Sequence, residues 1–321
     1  MINQEKINFF QRRDFGETFN VSVKFLRQNF KLFFQSLLFI AGPFVLISAI
    51  SGAFYQSSAL SFFSLAKSGN TNILSQFGWT YFLFIGATIM SSLAITGVAY
   101  SFMICYLEKG PNGFTVNDVG RTLLRNTGKL LSVFFIFMLI IILIAAVMIG
   151  IGVGLGSITP ALAVLYFLVV LVGMMIILPP FIWLMSSVYL IRMRENSSVF
   201  QSVSRAREIM RDNFWWTWVI VVCSLIAIGI IGFVFTAPQM IYQVILMFSR
   251  LKGGAVEEGA SIPFLIVASV CTFCSTLLYS FLYVIYGFHY FSLAEKKDGT
   301  GLMERINEIG NTPNSNVEQQ Y

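Results

Sequence analysis

The sequence predicts an all-α integral membrane protein with six transmembrane helices. Three observations predict it: little charge, six long uncharged apolar runs, and a lopsided distribution of lysine and arginine. Of 321 residues, 56% are hydrophobic and 11% charged, against roughly 25% charged in an average soluble domain. The apolar residues gather into runs near Leu32–Phe54, Gly78–Leu107, Leu130–Leu155, Pro160–Ile191, Phe214–Ala237 and Ile262–Ala294. None contains Lys, Arg, Asp or Glu, and each reaches the ~20 residues a bilayer-spanning helix needs. The first run is longer than a signal-peptide core and follows a long charged leader, so it is expected to be retained.

Orientation follows from the basic residues. Eighteen lie in residues 1–31, 108–129, 192–213 and after Ala294, and three (Lys67, Arg250 and Lys252) lie in the alternate loops. Both termini are therefore expected in the cytoplasm. The net charge of +6 then describes a basic face near anionic lipid headgroups, not a nucleic-acid footprint. No nucleic-acid partner is expected.

The runs pair into hairpins, and a helical start signal precedes each pair. Before the first, Asp14 and Glu17 have capping-box spacing, followed by Phe15, Phe19, Val23, Leu26 and Phe30 on one stripe. Before the second stand Thr115 and Asp118, with Val116, Val119 and Leu123. Before the third, Ser198 caps, with Val199, Val203, Ala206 and Met210. Each stretch ends on a basic residue and an asparagine: Arg27 and Asn29, Arg125 and Asn126, Arg211 and Asn213. Glu108 to Asn126 and Glu195 to Asn213 are both 18 positions. The expected unit is a cytoplasmic amphipathic interfacial helix followed by a transmembrane hairpin, repeated at about 14–107, 114–194 and 198–294. Residues 1–297 form one polytopic domain, and 298–321 a mostly disordered tail that begins with an amphipathic piece at Leu302, Ile306 and Ile309.

The opposite-side loops are short. Loop 55–77 holds a candidate short helix around Leu60, Phe62, Phe63 and Leu65. The second is minimal, about Gly156–Thr159, and the third spans Gln239–Ser261.

Within the runs, Gly150, Gly152, Gly154 and Gly156 make two small-xxx-small pairs, which predict close helix packing rather than a phosphate loop. Pro43, Pro179, Pro180 and Pro238 predict helix kinks. Trp79, Trp215, Trp216 and Trp218 fit headgroup-depth belts, and His289 reads as a helix-end interfacial residue. Cys105, Cys223, Cys271 and Cys274 lie inside runs, so no disulfide is expected.

Acid–base chemistry is missing from the membrane segments. No run holds an ionisable carboxylate or amine, which proton- and ion-handling proteins need at depth. The expectation is not an enzyme, with no metal and no cofactor. Two readings remain: a non-catalytic membrane subunit or scaffold that organises partner proteins or lipids, and a channel or carrier for an apolar or zwitterionic substrate. Contacts to anionic headgroups or to a protein partner in a membrane complex are assigned to Arg27, Lys31, Arg121, Arg125, Lys129, Arg205, Arg207 and Arg211.

Phe25-Leu26-Arg27-Gln28-Asn29-Phe30-Lys31, Leu124-Arg125-Asn126 and Met210-Arg211-Asp212-Asn213-Phe214 each end an amphipathic stretch before a hairpin. In this the chain resembles a bacterial six-pass family named after the membrane domain found beside some glycerophosphoryl diester phosphodiesterases. The resemblance spans most of 14–294 and implies a bacterial inner-membrane location. Its motifs carry no catalytic residue and the phosphodiesterase catalytic domain is not among these residues, so it implies no hydrolase activity.

Overall fold

Low charge and long apolar runs leave the backbone only one way to satisfy its own polar groups in lipid, the helix. A computed structural model describes residues 6–67, 78–111, 113–251, 262–299, 301 and 303, the side chains of 57–67, 246, 247 and 249–251 excepted. All regular structure among them is helical: α1 (Phe15–Ser36), a π turn (Leu37–Ala41), α2 (Gly42–Lys67), α3 (Trp79–Lys109), α4 (Val116–Ile158), α5 (Pro160–Glu195), α6 (Val199–Arg211), α7 (Phe214–Leu251) and α8 (Ile262–Asp298). Six stretches are long and apolar enough to cross a membrane. The chain is a multi-pass membrane protein.

The start signals form as hydrogen bonds. Asp14 Oδ1 accepts from Glu17 N at 2.8 Å while Asp14 N donates to Glu17 Oε2 at 3.1 Å. Thr115 N donates to Asp118 Oδ2 at 2.8 Å. Ser198 N donates to Gln201 Oε1 at 3.0 Å and Ser198 Oγ accepts from Gln201 N at 3.3 Å. Each cap contributes about 1 kcal/mol by pairing amides that the first turn leaves open. Between α3 and α4 the chain turns through Gly110, at φ 76°. A Cβ on Gly113 would lie 2.2 Å from Lys109 O, so only glycine fits there.

After these starts the expected pattern of separate interfacial helices holds for one unit only. α4 runs unbroken from Val116 to Ile158, 43 residues. α1 continues through the π turn into α2. Only α6 is separated from its span, by a turn at Asp212 and Asn213. The π turn lies just before Pro43. Gly42 N donates five residues back to Leu37 O, which widens the coil where a proline lacks an N–H and crowds the preceding turn. Pro179 and Pro180 lie within α5, and Pro238 within α7. Helix α7 thus continues to Leu251, through half of the expected third loop, and residues 60–65 belong to α2. The α4–α5 connection is Thr159 alone, followed by Pro160 at the first helical position.

Helix packing has a cyclic order. The two helices of each hairpin pack together: α2 on α3, α4 on α5, α7 on α8. Each first helix also packs on the second helix of another hairpin: α2 on α8, α4 on α3, α7 on α5. The three second helices, α3, α5 and α8, meet one another in the centre. Their buried stretches coincide in level: Ile95–Tyr106 on α3, Ser186–Ile191 on α5 and Val284–Glu295 on α8 are buried on every side.

The buried face of α1 is offset from its apolar stripe, whereas that of α6 overlaps it at Val199 and Ala206. On α1 the buried residues are Thr18, Ser22, Phe25, Asn29, Phe33 and Ser36, while Val23 is 60% and Phe30 52% exposed. On α6 they are Val199, Ser202, Ala206 and Ile209, with Val203 and Met210 only half-buried. Lipid is as apolar as leucine, so apolarity alone does not decide which face of a helix turns inward. Small polar side chains do gain from close packing and hydrogen bonds. Ser22 Oγ and Ser36 Oγ donate to the carbonyls of Thr18 and Leu32, both four residues back.

Candidate functional site

The charged end of the bundle is built from an N-terminal strap, the α1 start, the ends of α3, α5 and α8, and α6. Residues 6–14 are extended, and they are anchored rather than trailing. Phe9 is 2% exposed and its ring lies 4.7–5.7 Å from those of Phe25, Tyr106, Phe288 and Phe291. Ile7 N donates to Tyr106 Oη at 3.1 Å. Arg13 N donates to Ser292 Oγ at 2.9 Å, and its guanidinium folds back onto Phe9 O at 3.0 Å and onto Asn8 O. Burial holds the Arg13 pKa below its ordinary value, with Glu17 acting the other way. This anchoring was not anticipated from the sequence. The aromatic pair Phe9-Phe10 inside a charged leader was its one available sign.

The other end of the chain meets the strap. Gly301 N donates to Glu295 Oε2 at 2.8 Å, and a Cβ on Gly301 would lie 2.5 Å from Phe10 O. Gly301 is therefore packed against the strap. Leu302, Ile306 and Ile309 lie outside the described residues.

Where α3, α5 and α8 meet, polar side chains interlock. Tyr100 Oη bonds Ser186 Oγ. His289 Nε2 lies 3.0 Å from Thr217 Oγ1 and its ring is 5.4 Å from that of Trp183. Three buried polar atoms here have no partner: Ser101 Oγ, Ser187 Oγ and Trp183 Nε1. His289 is 1% exposed, which corrects the interfacial reading. Tyr286, Gly287, Phe288 and Tyr290 around it are buried as well, because this end of α8 is the axis of the packing.

Two clefts open beside the strap. One, of about 540 Å³, is lined by Arg12, Asp14, Glu17, Asn213, Trp216 and Lys296 among others. The second, of about 410 Å³, shares Arg12 and Lys296 with it. Lys296 Nζ donates to Asn213 Oδ1 at 2.7 Å.

No known family model, curated protein or solved structure matches the chain.

The expected contact residues fall into two groups. Arg27, Lys31, Arg121, Arg125, Arg207 and Arg211 are exposed and have no hydrogen-bond or ion-pair partner among the described residues. Two are tied down. Arg205 pairs with Asp298: burial pushes its pKa down, and Asp298 more than offsets this, leaving it raised. Lys129 Nζ donates to Asn126 Oδ1 at 2.8 Å and to Asn196 Oδ1. The unit-ending asparagines also differ in role. Asn29 and Asn126 donate to the carbonyls of Phe25 and Thr122, each at 2.9 Å, whereas Asn213 sits in the α6–α7 turn. Of the four glycines, Gly152 and Gly156 face α5, where an added Cβ would lie 3.3 Å from Tyr166 and 3.5 Å from Ala163, whereas a Cβ on Gly150 or Gly154 would meet nothing within 4 Å. Cys105, Cys223, Cys271 and Cys274 are unbridged. Among the described residues, His, Cys, Asp and Glu form no group of three or more able to hold a metal ion.

Proposed function

We propose that the chain is a non-catalytic multi-pass scaffold of a bacterial inner membrane, with both termini in the cytoplasm, whose basic end docks a protein partner. Three copies of one unit, a basic amphipathic start followed by a hairpin, make up the bundle. The cyclic packing order supports the repeat, since each first helix leans on the second helix of another hairpin. Resemblance to the six-pass family supports the location, and the distribution of lysine and arginine supports the orientation.

The observation that carries the docking reading is the set of exposed cations, without a partner among the described residues, around a core of packed rings. Arg121, Arg207 and Arg211 point away from a core filled by Phe9, Phe25, Phe102 and Phe288 at ring spacings of 4.7–5.9 Å. Arginines suit an acidic partner surface, because the planar guanidinium fork matches a carboxylate in two hydrogen bonds. Charge reversal at Arg121, Arg207 and Arg211 together, with insertion unchanged, is expected to release a partner that copurifies from native membranes. Arg205 is left intact, since its reversal would also break the Asp298 pair. If no partner copurifies, or if the triple variant retains it, docking fails. The carrier reading then gains, supported by the unpartnered Ser101 and Ser187 hydroxyls of the interior.

A further inference from the structure

Lys129 and Arg192 are the last charges before the apolar runs of α4 and α5, so they stand where those helices enter the bilayer. The charged groups acting on Lys129 are Arg125 and Arg192, both cationic, and no carboxylate is among them. Neutral groups hold it instead. Asn126 Oδ1 accepts from Lys129 Nζ at 2.8 Å, and Asn196 Oδ1 accepts from it as well. Asn196 ends α5 at φ 52°, a left-handed position that asparagine tolerates, and its amide reaches across to α4. An ammonium has three donors, so one remains open.

Arg192 is equally incomplete. Its Nε is buried without a partner, and Nη1 reaches only Ser197 O, at 3.5 Å. Arg125 is exposed and unpartnered among the described residues. Two arginines thus act on one lysine beside a membrane boundary. Repulsion between like charges and a buried Nε without a partner among the described residues both disfavour the arrangement as it stands. A phosphate group relieves both at once, since its oxygens accept from an arginine fork and an ammonium together.

We infer that Arg125, Lys129 and Arg192 form a phosphate-binding site between α4 and α5. The ligand class is a terminal phosphate anion, carried by a phospholipid such as phosphatidic acid or free in solution. Basic pockets between transmembrane helices suit headgroups, and from Lys129 the helical step leads through Ile136 to Ile140 and Leu143, which are 37% and 58% exposed and offer an acyl chain an apolar track. The inference stands apart from the docking reading, because it needs no protein partner and its variants leave Arg121, Arg207 and Arg211 intact.

The test is native mass spectrometry of the purified full chain in detergent, with dioleoyl phosphatidic acid, dioleoyl phosphatidylcholine and inorganic phosphate offered separately. Retention of phosphatidic acid over phosphatidylcholine, weakened about tenfold in Arg125→Gln/Arg192→Gln, supports the site with a lipid source. Retention of inorganic phosphate with the same loss, and no preference for phosphatidic acid, supports it with a soluble source. Arg125→Lys/Arg192→Lys should recover most of the binding, and Lys6→Gln/Lys24→Gln, which removes the same charge elsewhere, should leave it unchanged. Lys129 is kept in every variant so that its tether between α4 and α5 survives, and a thermal melt checks the fold. If neither probe is retained by the wild-type chain, or if the Lys6/Lys24 variant loses binding as much as the Arg125/Arg192 variant, the site is overturned.

Discussion

The α4–α5 hairpin has two halves in very different company. Near the charged end its helices are built into the bundle: Leu130, Val133 and Phe137 of α4 and Trp183, Val188 and Leu190 of α5 are at most 3% exposed. Farther along, from Met138 to Leu178, the two helices are mostly exposed. Tyr166 Oη donates to Met148 O at 2.9 Å, while Ile149, Val153, Phe167 and Met175 are 63–68% exposed. At the same far end the first and third hairpins stay joined, through Gln56 with Gln239 and Gln243 at 2.5 and 3.0 Å and through Ala53, Phe264 and Ala268. The lone half is the more uniformly aliphatic. Apolarity does not bring helices together in a bilayer. Small side chains, hydroxyls, amides and interlocking rings do.

The sharpest way to break this contrast is to truncate the same residue type on each side. Phe102 is fully buried, with rings of Phe33 and Phe114 at 5.1 and 5.0 Å. Phe102→Ala is expected to cost roughly 3–5 kcal/mol of stability through lost packing and the cavity left behind. Phe167→Ala, on the lone half, should stay within about 0.5 kcal/mol. Reversible unfolding in mixed micelles reads both, and equal losses would end the distinction.

A middling effect is expected at glycines. A Cβ on Gly287 would lie 2.7 Å from Met103 Sδ, and one on Gly97 2.4 Å from Leu123 Cδ1. These neighbours are side-chain ends with some freedom, so alanine at either position should cost about 1 kcal/mol as the core shifts. Gly150→Ala and Gly154→Ala should cost nothing in the same assay. A loss at those two would mean that the lone half has a packing partner.

The smallest effect belongs to the exposed rim. Glu208 Oε1 accepts from Lys297 Nζ at 2.5 Å, and that hydrogen bond holds the Glu208 pKa below its ordinary value. A depressed folded-state pKa means that the pair's contribution is present above the usual carboxylate range and is lost as pH falls through the folded pKa. Glu208→Gln should therefore shift the melting temperature slightly at neutral pH and low salt, and not at all in acid or at high salt. A shift that persisted in 1 M salt would show that Glu208 does something other than pair with Lys297.

Spans and caps were legible in the sequence because each rests on local chemistry. Uncharged runs declare helices in lipid, and Asp14, Thr115 and Ser198 sit where a first turn needs an acceptor. The inward faces were not legible. The stripe from Phe15 to Phe30 follows the rule for water-soluble helices, and the buried residues Thr18, Ser22 and Asn29 lie on the neighbouring face of α1, about a quarter-turn away. His289 was misread for a related reason: proximity to a run's end says nothing about which side of the helix faces the axis. Among the candidate contact residues, exposure of the arginines followed from charge alone. The engagement of Arg205 by Asp298 and of Lys129 by Asn196 spans 93 and 67 positions, beyond any pattern of local spacing.

The seam at the strap also has an order in time. Arg13 and Ser292 are 279 positions apart, and α2, in the first hairpin, rests on α8, in the last. A chain emerging at about 5–20 residues per second inserts its first hairpin on the order of tens of seconds before its permanent neighbour exists. Through that interval Phe25 and Phe33 have their partners on α3 but not Phe288 and Phe281 of α8. The bundle closes only when the sixth span arrives, and the beginning of the chain is then clasped to its end. Assembly is in this sense retroactive: the first segment made is among the last to be secured.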